Sequence, residues 1–81
     1  MEDWNGMTND QILIGCLAGT NLARWEGDRE RMLAYQRRAL GVLRTMATEE
    51  PELRGYYLRL AAGHAIQWGI TLDGDPLPAG T

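Results

Sequence analysis

The chain contains no lysine, no serine and no phenylalanine, and it has a single cysteine, Cys16, and a single histidine, His64. Each absence removes a class of chemistry. Without serine there is no serine nucleophile; without lysine there is no Schiff-base amine and no P-loop cation. One cysteine cannot close an intrachain disulfide or build a multi-cysteine zinc site, and one histidine cannot supply a histidine-paired metal motif. All eight positive charges are arginine, set against eleven carboxylates, for a net charge of −3. That balance argues against a non-specific nucleic-acid binder, which needs a broad basic footprint, so direct DNA binding is not expected. The longest apolar stretch, around Ile12 to Ala18, falls far short of the roughly 20 residues that span a bilayer. Met1-Glu2-Asp3-Trp4 is acidic and lacks the basic start of a secretory signal,. No membrane association is expected, and the expected setting is the cytoplasm.

What is present is a small domain of 81 residues with 44% hydrophobic content, enough to predict a folded chain,. A chain of this size buries only about 60% of the surface that its unfolded form exposes. Small scaffolds compensate with disulfides, metals, oligomerisation or well-packed helices. Disulfides and cysteine-rich metal sites being excluded, close helix packing or a partner remains, and a second copy of the same chain is one such partner.

The pattern predicts an all-α, three-helix protein: an apolar first helix packed on an αα-hairpin, with an extended C-terminal tail. The first helix, over about 8–25, starts at a capping box in which Gln11 follows Thr8 by three positions,. Gly27 breaks it and Asp28 serves as the next N-cap. The second helix, about 28–47, repeats Met32, Tyr35 or Gln36, Ala39, Leu43 and Met46 at spacings of three and four, with Leu33 and Leu40 widening the face,. Thr48-Glu49-Glu50-Pro51 restarts the chain into a third helix, about 51–68, whose inward face is Leu53, Tyr57, Leu60, Ala61, His64, Ala65 and Trp68,. Gly69 is its C-cap. The tail, 69–81, reads as a turn followed by extended chain, with Ile70 and Leu72 able to fold back onto the bundle.

The first helix is apolar nearly all round its circumference, through Ile12, Leu13, Ile14, Cys16, Leu17, Ala18 and Leu22. Gly15, Gly19 and Ala23, four apart, leave one edge almost without side chains. Interior helical glycines cost about 1 kcal/mol each relative to alanine, so close backbone approach is expected there. That approach is either to the hairpin or to another copy; in the second case Ile12, Gly15, Gly19 and Ala23 form the interface, with Trp4 as an anchor. The guanidinium forks of Arg24, Arg29 and Arg31 suit phosphate or carboxylate oxygens, and Trp25 and Tyr56 offer rings for stacking a base. The competing reading is a solvated face in which these arginines pair with neighbouring carboxylates. Glu49, Glu50 and Glu52 form an acidic cluster able to meet a basic protein partner. A Cys16–His64 dyad would require the first and third helices to cross at that level. Asp73-Gly74-Asp75 lacks the remaining ligands of a calcium loop. No catalytic residues, cofactor or metal are expected.

From Arg29 to Gly69 the chain resembles the helical hairpin of phage anti-CBASS and anti-Thoeris sponges. The resembling features are the helix carrying arginine and tyrosine, Pro51 followed by Arg54, the leucine-rich turns after it, and Trp68. The resemblance implies a small oligomer that sequesters a cyclic nucleotide signal in a host-cell cytoplasm. It departs from that pattern in the long apolar helix that precedes the hairpin and in the absence of lysine. An anti-CRISPR-like inhibitor that binds a host complex through its acidic surface is the alternative, and a small structural or regulatory partner protein is a third.

Overall fold

The structure, a computed structural model, describes residues 5–77. Helix α1 runs Asn9–Glu26, α2 runs Arg29–Glu49, Pro51–Leu53 form a single 3₁₀ turn, and α3 runs Arg54–Trp68. The fold is all-α. The helix ends arise from local chemistry. Thr8 and Gln11 form the full capping box: the Gln11 amide donates to Thr8 Oγ1 at 3.2 Å and the Thr8 amide donates to Gln11 Oε1 at 2.9 Å,. Gly27 closes α1 at φ 76°, the left-handed conformation that glycine adopts without a steric cost,. Asp28 caps α2 by accepting from the Arg31 amide at 3.1 Å. Gly69 closes α3 at φ 70°.

Two boundaries differ from expectation. Helix α2 runs on to Glu49, and Pro51 starts a 3₁₀ turn before α3 instead of the third helix itself. Proline fits that turn because its missing amide is unneeded at the first position,. Leu53 stays 42% exposed, outside the inward face expected for it, because it belongs to this turn and precedes α3.

Two tight turns, at 27–28 and at Glu50, make α1–α2 and α2–α3 successive antiparallel hairpins. Helix α2 is the middle element. Both α1 and α3 pack on it, and no Cα of α1 lies within 8 Å of α3. At backbone distance the first helix thus packs on the hairpin through α2. The molecule is flat, 35 × 32 × 14 Å along its principal axes. Being covered from two sides, α2 buries a wide face: Gln36, Ala39, Leu40, Val42, Leu43, Met46 and Ala47. Ile12 and Cys16 of α1 and Tyr57, Ala61 and Ala65 of α3 complete the core, with Leu13, Leu17, Leu58, Leu60 and Trp68 packed at its margin.

The tail folds back. Ile70 is buried and forms an isolated antiparallel bridge with Pro76, while Leu72 stays largely exposed. Between them the acidic turn clasps two arginines of α2. Arg37 Nε donates to the Gly74 carbonyl at 2.9 Å, Arg37 Nη2 lies 3.6 Å from Asp75, and Arg44 Nη1 lies 3.0 Å from Asp73. Gly74, at φ 88°, sits against the Arg37 side chain where a β-carbon would collide.

Candidate functional site

The side chains expected to act at the first helix divide between two of its faces. Ile12, Cys16, Thr20 and Ala23 are buried against the rest of the chain. Gly19 faces the ring of Tyr35, which a β-carbon at position 19 would meet at 2.6 Å. The small-residue edge is therefore consumed within the protomer. Of the interface expected along it, Ile12, Gly19 and Ala23 are covered by intrachain packing, Gly15 is half-buried, and Trp4 lies outside the described residues. The face that remains open is the opposite one. Ile14, Leu22 and Trp25 are 67, 56 and 87% exposed, and Ala18 is exposed between them. They recur at intervals of four, four and three, which in an α-helix forms one outward stripe.

This stripe was legible only as a surplus. A helix apolar all round tells that some of its surface lacks cover, without telling which part. The glycine spacing narrows it: a residue without a side chain marks the close intrachain approach at Gly19, and at about 100° per residue the open stripe is centred about a quarter-turn round the helix from it.

Four of the five expected ligand residues share one corner. Arg24 and Trp25 occupy the last turn of α1, and Arg29 and Arg31 begin α2, on either side of the turn at 27–28. Arg31 is partly engaged, with Glu26 and Asp28 each 3.9 Å away. Those pairs are exposed and long, so they are weak and screened by salt. Arg24 and Arg29 are exposed, with no carboxylate of the described residues within ion-pairing distance. Tyr56 does not join them. It stands at the start of α3, at the other end of α2, and a helix of 21 residues spans about 30 Å at 1.5 Å per residue. A sandwich of one ring between Trp25 and Tyr56 of the same protomer is excluded by that distance. Tyr56 packs instead edge-on against Tyr57, with ring centroids 5.5 Å apart.

The acidic cluster is partly committed to holding the fold. Glu49 accepts from Asn9 Nδ2 at 2.8 Å, tying the end of α2 to the start of α1. Glu50 accepts from the Tyr57 hydroxyl at 3.1 Å. Burial, and then this hydrogen bond, raise the Tyr57 hydroxyl above its ordinary pKa,. Glu52 stands exposed in the 3₁₀ turn. A shallow depression on α2 is lined by Gly41, Arg44, Thr45, Thr48 and Glu49. Its threonine hydroxyls already donate back to the Gly41 and Arg44 carbonyls.

Cys16 is fully buried on the face of α1 that meets α2. His64 stacks on Trp68 within α3, ring centroids 5.0 Å apart, on a helix whose Cα atoms stay beyond 8 Å from α1. No cluster of three or more His, Cys, Asp or Glu among the described residues is arranged to hold a metal ion. No helix among them is long and apolar enough to cross a membrane.

Fold and surface together define an all-α protein of consecutive helical hairpins with the outer apolar face of α1 left open. No protein-family model, curated protein or solved structure matches the chain.

Proposed function

We propose that the chain is a non-catalytic helical binding protein that works as an assembly and captures a flat-ringed, phosphorylated cargo, a nucleotide signal, as the phage sponges that its hairpin resembles would do. The supporting observation is the corner at the α1–α2 turn. There Trp25 presents a nearly bare indole, 87% exposed, in the same helical turn as Arg24 and four residues before Arg29. An exposed indole is a hydrophobic platform on which a base stacks, and arginine forks match phosphate oxygens. An indole 87% exposed offers a cargo one stacking face, so a single protomer would hold it from one side only. This is why the reading includes an assembly.

Thermal unfolding against a panel of cyclic di- and trinucleotides tests the reading. A bound member of the panel raises the melting temperature by mass action, with the logarithm of its concentration above the Kd, and Trp25→Ala or Arg29→Ala removes the rise. A panel without any effect on the melting temperature would end the nucleotide reading.

A further inference from the structure

Resting on the assembly part of that reading, we infer that two copies of the chain pair antiparallel through the outward face of α1, with the two Ala18 residues at the two-fold axis. The middle of the open stripe is a palindrome in side-chain size: Ile14, Ala18 and Leu22 stand at −4, 0 and +4, large, small, large. A two-fold interface needs a surface complementary to itself. Rotation about Ala18 sets Ile14 of one copy opposite Leu22 of the other, twice, and the small central residue lets the helices approach. Ile14 and Leu22 are 67 and 56% exposed, so the pairing covers what α2 leaves open.

Charge selects the direction. At about 100° per residue, Asp10 and Arg24 flank the same side of the stripe, one toward each end of α1. Both are exposed. An antiparallel pair brings Asp10 of each copy within about one helical turn, 5.4 Å, of the level of the other copy's Arg24. A parallel pair leaves the two Asp10 at one end and the two Arg24 at the other, so neither meets an opposite charge across the seam, and it aligns the two helix dipoles unfavourably. Arg24 is then engaged across the axis, Arg29 remains the guanidinium for a phosphate, and Trp25, seven positions from Ala18, stands at the rim at each end of the interface.

Sedimentation or light scattering across the micromolar range is the test, with circular dichroism to confirm that each variant folds. The expected species has twice the 9.1 kDa chain mass, and Leu22→Glu returns it to the monomer. Asp10→Arg and Arg24→Asp each weaken the dimer about tenfold, and the double swap restores it. A dimer indifferent to Leu22→Glu places the contact elsewhere and overturns the inference, as does a double swap weaker than either single change. A wild-type monomer at every concentration overturns it too. If that monomer still shows a nucleotide-dependent melting shift, the capture reading stands while the pairing falls.

Discussion

At Gly19 a β-carbon would stand 2.6 Å from the Tyr35 ring, whereas the space around Gly63 on α3 is open, with nothing within 4 Å. The same substitution should therefore act with opposite signs at the two positions. Gly63→Ala gains helix propensity and should raise stability by about 0.5–1 kcal/mol. Gly19→Ala gains the same propensity but forces the ring aside, an overpacking cost of about 1–3 kcal/mol, so its net effect should be destabilising. Urea denaturation of both variants checks the pair. Tyr57 supplies a pH-dependent counterpart. Its hydroxyl is raised by burial and by Glu50, so the folded chain holds the proton more tightly than the unfolded one. The stability it contributes is fully present below the ordinary phenol pKa of about 10 and is lost as pH rises through the raised value. Denaturation midpoints followed upward from neutral pH should fall across that range, and Tyr57→Phe should flatten the fall.

At the scale of the element, the helix ends carry much of the definition. Thr8→Ala and Asp28→Ala each remove a side-chain acceptor from a helix start and should each cost about 1 kcal/mol, read as a lowered melting temperature. These ends were readable in the sequence because capping is local: Thr8 with Gln11, Asp28 with its own helix, and glycines 27 and 69 just past the last turns. The α2–α3 hairpin was readable for the same reason, through its periodic face and Pro51. The facing of α1 was not. Periodicity locates a buried face by contrast with polar residues, and Ile14, Ala18 and Leu22 offer little contrast with Ile12 and Cys16. Nor did sequence separation hint that Asp73, Gly74 and Asp75 would meet Arg37 and Arg44, since one segment reads as a solvated loop and the other as a solvated helix face. That clasp makes its own prediction. Arg37→Met removes the donor to the Gly74 carbonyl while retaining an unbranched stem against Gly74, and residues 70–77 should then lose hydrogen-exchange protection before the helices do.

At the scale of the whole molecule, the candidate site was half legible. Four of its five expected residues do share a corner, because they lie within eight positions of one another across a tight turn. Tyr56 was misplaced with them because residue type carries no information about which end of a 21-residue helix a neighbour occupies. The same flat arrangement leaves α1 with a partner on one side only. If its outer face pairs, stability depends on concentration, and the melting temperature should climb on concentrating the protein. The Leu22→Glu variant should melt at one temperature throughout.

At backbone distance each outer helix packs on the helix next to it in sequence. Packing α1 on α2, or α2 on α3, requires closing nothing longer than a hairpin, so the entropy lost before contacts form is small. Topologies of this kind fold fast, in the microsecond-to-millisecond range, and without long-range search. The two hairpins also share a single strip of framework, α2, and nothing else binds α1 to α3 at backbone distance. Hydrogen exchange should therefore find α2, covered from both sides, the last element to lose its protection.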